Sequence, residues 1–293
     1  MIYQTGRAFR RALEARLLAQ STQSRTSLVR LRKMVAFDRF LARLLATQPD
    51  RWLLKGGLAL QLRLGNRART TKDIDVSLMM PRHEVGPALA VAAMLDLGDW
   101  FDFTVRQDPV PLPGLSDGNW RFTVATRLDG RLFEGFHIDL GLSDPVLEPA
   151  ETLTTPPLLA FAGIVPVTVP CYPLSQHLAE KVHAYVRPFS SGESTRVKDL
   201  VDILLIAGEM SLAAPVLHEA IQVTFAAQGF DQPPASLPDP PVAWAAKYRR
   251  LAEDCGIAAT TLSQGITEAR VFLDPVLSNA THGTWYPEQQ MWR

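Results

Sequence analysis

The sequence predicts an α/β protein, in which a mixed, largely antiparallel sheet follows N-terminal helices and precedes a C-terminal helical region. Apolar residues recur at helical spacing up to residue 47, alternate with polar ones between residues 51 and 145, and return to helical spacing after Pro173. The 293 residues, 47% of them apolar, can bury the core of one large or two ordinary domains. We therefore expect a folded globular protein.

The N-terminal third contains three predicted helices. Residues 5–20 and 25–47 carry leucine and phenylalanine at helical spacing with arginines between them. A short helical run from Leu58 to Leu64 follows a pair of glycines, and Gly65-Asn66 ends it.

The predicted strands are read from alternation. Asp129-Gly130 is a tight-turn signal between two of them. The predicted strands are residues 73–78, 99–106, 119–127, 132–142 and 165–169.

After Pro173 the period is again that of helices, interrupted by a proline-rich loop at residues 232–241. The predicted helices are residues 174–186, 195–206, 212–227, 242–254 and 260–274. We divide the chain into basic N-terminal helices packed on the body (1–50), a sheet domain (51–170) and a helical domain that completes a cleft (171–293).

Several classes of protein are disfavoured. No run of about 18 apolar residues predicts a membrane-spanning helix. The polar, arginine-rich N-terminus lacks the apolar segment of a secretion signal. Cys171 and Cys255 are too few for a disulfide framework or a cysteine zinc site. We expect a cytoplasmic protein without a membrane segment.

The net charge of zero conceals an asymmetry. Residues 1–72 carry 16 Lys and Arg against 3 Asp and Glu (+13), and the remainder carries 14 against 27 (−13). One interpretation is a basic surface that binds a polyanion such as nucleic acid. The other is an arginine-rich amphipathic helix whose side-chain stems pack on the protein body.

Three carboxylates are candidate metal ligands. Alternation along the strand places Asp73 and Asp75 on one face, roughly 7 Å apart, and Asp139 occupies the equivalent phase of a later strand. If the two strands are adjacent, the three acids converge, and such a cluster requires cations. Oxygen ligands of this kind suit Mg²⁺. His137 could face the same side, although a surface imidazole is the favoured interpretation.

The glycines before the short helix are candidate phosphate ligands. Gly56 and Gly57 allow close backbone approach, and the start of a helix offers free N–H donors. Followed by an Asp-x-Asp strand, they predict a triphosphate site beside a metal site.

These motifs, in this order, resemble the polymerase-β-type nucleotidyltransferase superfamily. The segments K-G-G-x-A-L from Lys55 and R-x-T-x-D-I-D from Arg69 are similar to the narrower AbiEii/MenT group of toxin nucleotidyltransferases. Two later segments, Q-H-L-A-E-K-V-H-A (176–184) and R-V-K-D-L-V-D-I-L (196–204), resemble two helices of that group. The resemblance covers about residues 50–210.

The resemblance implies a role for each matched residue. Asp73 and Asp75 would bind Mg²⁺ and act catalytically, and Asp139 would complete the metal site. Lys181 would neutralise the triphosphate of the NTP co-substrate. The remaining implied nucleotide ligands are Lys55, Gly56, Gly57, Arg69 and Asp199. Arg69 could instead brace the acids.

Asp202 would orient Lys181 or the nucleotide, although the choice between Asp199 and Asp202 as the functional acid of that helix stays open. The implied activity is transfer of NMP from NTP to the 3′ end of tRNA by the toxin of a toxin–antitoxin pair, which blocks translation. The implied partners are tRNA and a cognate antitoxin. The alternatives are transfer to a protein hydroxyl or a small molecule, and a catalytically silent nucleotide-binding regulator.

Overall fold

The structure is a computed structural model that describes residues 1–24, 26–107, 120–142, 147–187, 196–229 and 232–293. It contains two compact units. The first comprises residues 1–63, 70–143 and 150–172, and the second comprises residues 64–69, 144–149 and 173–293. The predicted helix start at Thr195 and strand start at Asn119 lie outside the described residues.

The first unit is an α/β layer structure around one seven-stranded sheet. Its helices are α1 (Gly6–Ser24), α2 (Leu28–Thr47), α3 (Gly56–Leu64) and α4 (Arg82–Met94). Its strands are β1 (Trp52–Lys55), β2 (Asp73–Leu78), β3 (Phe101–Gln107), β4 (Trp120–Leu128), β5 (Arg131–Leu142), β6 (Glu151–Thr154) and β7 (Thr168–Cys171).

The strand order is β3-β4-β5-β2-β1-β7-β6. The pairs β2–β5 and β1–β7 are parallel, and the other four are antiparallel. The predicted mixed, largely antiparallel sheet is confirmed. Because β2 lies beside β5, the strand that carries Asp73 and Asp75 is adjacent to the one that carries Asp139.

Helix α2 covers one face of this sheet. Its apolar side chains recur every three or four residues, and Ser27 caps its first turn by accepting from the Arg30 N–H. Phe37 and Phe40 meet Phe136 of β5 at ring-centroid distances of 5.1 and 5.8 Å. The apolar face of the sheet is thereby buried, and the opposite face carries the polar residues.

The second unit is helical, as predicted. It contains α5 (Leu174–Val186), α6 (Val197–Glu209), α7 (Ala214–Ala227), α8 (Ala245–Cys255) and α9 (Leu262–Leu277), followed by a short hairpin of β8 (Trp285–Tyr286) and β9 (Met291–Trp292). Helix α5 packs against α6 and α7. No helix of the described chain is both long and apolar enough to traverse a lipid bilayer.

Some elements have no counterpart in the sequence prediction. Helix α4 contains Gly86 and Pro87, which disfavour a helix interior, yet Val85 and Leu89 are fully buried. Tertiary packing therefore overrides local propensity there. Strand β6 has only four residues and lies in the segment interpreted as a linker.

Candidate active site

Four neighbouring strands carry a row of charged side chains on the polar face of the sheet. Asp75 of β2 is in register with Lys55 of β1 on one side and Asp139 of β5 on the other. Asp139 is in turn in register with Arg121 of β4. In strand order the row is Lys55, Asp75, Asp139 and Arg121, so that two carboxylates lie side by side between two cations.

Arg121 holds Asp139 in a two-point ion pair. Its Nε donates to Oδ1 at 2.6 Å and its Nη2 donates to Oδ2 at 2.5 Å. The two side chains are 23% and 22% exposed, so the pair lies where solvent and ligands reach it. Charge-assisted bonds in this forked geometry are the stronger kind of hydrogen bond.

Asp73 lies one pleat repeat away from Asp75 and contacts His137 of β5. The imidazole Nδ1 and the carboxylate Oδ1 are 3.0 Å apart, and since a carboxylate only accepts, Nδ1 is the donor. His137 thus lies on the polar face as a partly exposed imidazole with a hydrogen-bond partner, which fits both its expected position on that side and the interpretation as a satisfied surface imidazole.

Asp75 contacts the turn from β1 into α3. The Gly57 N–H, at the start of α3, donates to Asp75 Oδ2 at 3.3 Å. Gly56 has φ +63°, and a Cβ there would lie 2.0 Å from Asp75 Oδ2. Only glycine permits this approach, so the Gly-Gly pair brings the start of a helix against the acid.

Substitution of Gly56 by alanine is expected to abolish any reaction that depends on the position of the Asp75 carboxylate and to destabilise the protein. The new methyl group would both require a left-handed backbone and displace the Asp75 carboxylate. Gly65→Ala is a matched control, because Gly65 has φ +59° but open space around its Cβ position. Thermal unfolding of both variants separates backbone strain from the clash, and equal loss of activity in both would refute the expectation.

The donor set suits a hard cation such as Mg²⁺: three carboxylates occupy adjacent positions on one face. Within the described ranges, no three His, Cys, Asp or Glu side chains converge as a metal site requires. In this arrangement Arg121, His137 and Gly57 each contact one of the three carboxylates. Asp73, Asp75 and Asp139 are the carboxylates that would hold such an ion, and their side chains would have to converge to do so.

A second cluster of charges lies in the helical unit. Lys181 of α5 donates to Asp199 Oδ1 at 3.0 Å and lies 3.1 Å from Asp202 Oδ2. Arg69 donates to both oxygens of Asp202, through Nε at 2.8 Å and Nη2 at 2.9 Å. Arg196 Nη1 is 3.5 Å from Asp199. Three cations thus share two carboxylates, which leaves the cluster with a net charge of +1.

Mutual stabilisation keeps these buried groups ionised. Burial opposes the charge of Lys181, but Asp199 and Asp202 outweigh it and raise its pKa. Burial likewise opposes the charge of Asp202, but Lys181 and Arg69 outweigh it and lower its pKa. At neutral pH, Lys181 is therefore a fixed cation.

Of the predicted residues, the sheet brings together Lys55, Asp75, Asp139 and the Gly56–Gly57 turn, with Asp73 on the same face. The helical unit brings together Lys181, Asp199, Asp202 and Arg69. Arg69 is expected from the sequence to bind phosphate or to brace the acids of the strand, whereas the structure pairs its guanidinium with Asp202 of α6. Sequence reasoning missed Arg121. Arg121 alternates in phase with the other polar side chains of β4. That this phase places it directly across from Asp139 follows only from the register of β4 against β5.

Carboxylates on adjacent strands beside a glycine turn that begins a helix are the features on which the resemblance to nucleotidyltransferases rests, and the fold is of that class. Comparison with solved structures shows a similar fold. The chain is similar to MenT4, a nucleotidyltransferase toxin from Mycobacterium tuberculosis H37Rv, with a TM-score of 0.52 and 19% identity over 88% of this chain and 99% of that one. It also matches JHP933 from Helicobacter pylori, with a TM-score of 0.43 and 12% identity over 88% and 94% of the two chains.

The family model of the AbiEii nucleotidyltransferase toxins, of type IV toxin–antitoxin systems, matches residues 39–271. The chain therefore belongs to the AbiEii nucleotidyltransferase toxin family. No curated protein shows a significant sequence match. Family membership supports a transferase activity and implies an antitoxin partner.

Proposed function

We propose that this protein is a Mg²⁺-dependent toxin that transfers a nucleoside monophosphate from an NTP to the 3′ end of tRNA and so blocks translation. The observation that carries the proposal is the row of Lys55, Asp75, Asp139 and Arg121 beside the Gly56–Gly57 turn. It supplies paired carboxylates next to backbone donors, the arrangement that nucleotidyl transfer requires.

In this proposal Asp73, Asp75 and Asp139 hold Mg²⁺. The ion, when bound, would stabilise charge on the attacking and leaving oxygens. The N–H groups at the start of α3 bind phosphate oxygens, and Lys55 adds a cation from β1. Lys181 neutralises phosphate charge, and its ionised state is secured by Asp199 and Asp202.

The acceptor is the finer part of the proposal, and the charge asymmetry bears on it. Much of the N-terminal positive charge is neutralised within the protein. Arg43 is fully buried and pairs with Asp99, Arg39 is buried against Asp38, and Arg32 binds Glu14. Arg7 and Arg11 are exposed and line a shallow groove along α1. The packing interpretation therefore holds for the paired arginines, and the exposed Arg7 and Arg11 are the positions on which we propose that the polyanion binds.

Replacement of Arg7 and Arg11 by glutamate is expected to weaken RNA binding and to reduce the salt dependence of binding by about one to two logarithmic units per decade, since each phosphate contact contributes roughly 0.7–0.9. Fluorescence anisotropy with total tRNA at several salt concentrations measures both. The control Arg249→Glu/Arg250→Glu makes the same charge change at exposed positions of α8. Equal effects of the two double variants would contradict a specific role for α1.

The decisive test of the reaction is incubation of the purified protein with each labelled NTP, Mg²⁺, total RNA and total protein. Label at the 3′ end of tRNA, lost when EDTA is added, is the expected result. Label on protein or on a small molecule would support the alternative acceptors. Absence of transfer despite nucleotide binding would support a silent regulator. Action on tRNA would also place the protein in the cytoplasm, with its antitoxin.

A further inference from the structure

We propose that Arg121 is a counter-ion that exchanges partners: it occupies Asp139 before the divalent cation binds, and donates to a phosphate oxygen of the nucleotide afterwards. This inference rests on the proposed function. It assigns a positioning and phosphate-binding role to a residue outside the motifs that carry the family resemblance.

The ion pair between Arg121 and Asp139 contributes little to holding its two strands together. Asp139 and Arg121 lie on strands that backbone hydrogen bonds already join in register. By contrast, the Arg43–Asp99 pair is almost completely buried and connects helix α2 to the chain just before β3. Arg121 and Asp139 are about a fifth exposed. Ion pairs that solvent reaches contribute little stability, so the pair between Arg121 and Asp139 adds little to the stability of the sheet.

Electrostatics gives a reason for the pair. Asp139 and Asp75 are neighbours across the parallel strands, and like charges at such positions repel. Arg121 on one flank and Lys55 on the other bring the formal charge of the row to zero. In the free protein Arg121 thus offsets the repulsion between the two carboxylates, as a bound cation between them would.

Both oxygens of Asp139 are engaged by the guanidinium. Arg121 therefore competes with a divalent cation for this ligand. Binding of that cation adds two positive charges to a neutral row, which makes the guanidinium surplus. A triphosphate supplies matching negative charge, and a guanidinium fork binds phosphate as well as carboxylate. After the exchange Asp139 is paired with the cation and Arg121 with a phosphate oxygen, so that each charged group still has a partner of opposite charge.

The test measures binding of Mn²⁺ alone by electron paramagnetic resonance, and of inorganic triphosphate at saturating Mn²⁺ by calorimetry, on the full chain. Arg121→Gln is expected to bind Mn²⁺ about tenfold more tightly, because a competing charged donor is removed. The same variant is expected to bind triphosphate about tenfold more weakly. Arg121→Lys, which keeps the charge without the fork, should be intermediate in both.

Arg127→Gln is the matched control, since Arg127 is an exposed arginine of the same strand whose guanidinium contacts only the Gly130 carbonyl among its described hydrogen bonds. Arg127→Gln should bind Mn²⁺ and triphosphate with the same affinities as the parent protein. Thermal unfolding supplies an independent readout: Mn²⁺ should raise the unfolding temperature of Arg121→Gln by more than it raises that of the parent protein, because tighter binding to the folded state stabilises it more. Unchanged or weaker Mn²⁺ binding by Arg121→Gln would overturn the inference alone, whereas failure of the parent and all variants to bind Mn²⁺ would overturn the proposed function as well.

Discussion

Substitution of Asp75 by asparagine is expected to reduce nucleotidyl transfer by about a thousandfold or more. Asp75 is central in the charged row and also lies against the first turn of α3. Loss of its charge removes a ligand from the proposed Mg²⁺ site, and several kcal/mol of transition-state stabilisation correspond to about this factor. Single-turnover transfer of labelled NMP measures the loss.

Asparagine is chosen because it preserves the fold. Its amide oxygen still accepts from the Gly57 N–H, and its size leaves the contact with Gly56 unchanged. Asp102→Asn, on exposed positions of β3, is the control and should keep full activity. In cells, Asp75→Asn should no longer arrest growth. A folded Asp75→Asn protein that remains toxic would remove Asp75 from the catalytic site.

Strand β2 of the candidate site can be predicted from the sequence because the alternation that predicts it is a local pattern. Alternation alone placed Asp73 and Asp75 opposite Ile74 and Val76, and the structure buries the two apolar residues. The Gly56–Gly57 pair was likewise informative, since a left-handed φ beside a close contact requires glycine.

Register was the missing information. No local pattern states that Asp139 pairs with Asp75 rather than with Asp73, or that Arg121 is directly across from Asp139. Strand order depends on nonlocal packing, and a slip of one residue would move every side chain to the other face. For this reason Arg121 cannot be singled out from the sequence, and the contact between His137 and Asp73 cannot be predicted from it.

Helix α6 poses the complementary problem, because both of its acids fit the family motif. The spacing of three residues places Asp199 and Asp202 on one helix face. Burial distinguishes them: the Asp202 side chain is fully buried between Arg69 and Lys181, whereas that of Asp199 is 10% exposed at the first turn. We therefore infer that Asp202 holds the cluster together and that Asp199 sets the position of the Lys181 amine.

Asp202→Ala is accordingly expected to lower the free energy of unfolding by about 3–5 kcal/mol, the cost of removing one member of a largely buried ion-pair network. Both Arg69 and Lys181 lose a carboxylate in this variant. Because the folded-state pKa of Asp202 is lowered, its contribution is fully present above the ordinary pKa of about 3.9 and declines as the pH falls through the folded-state value. Denaturant unfolding at pH 7, and at successively lower pH, measures the difference.

Asp199→Ala separates stability from function. Lys181 keeps Asp202 as a partner in that variant, so the fold should lose only about 1 kcal/mol. The amine, released from Asp199, should bind nucleotide less well, and the KM for NTP should rise. Asp254→Ala, at an exposed position of α8, should change neither quantity. If Asp199→Ala proved the more destabilising change and Asp202→Ala the milder one, the two roles would have to be exchanged, because the fully buried carboxylate that binds both Arg69 and Lys181 must be the one whose loss costs more.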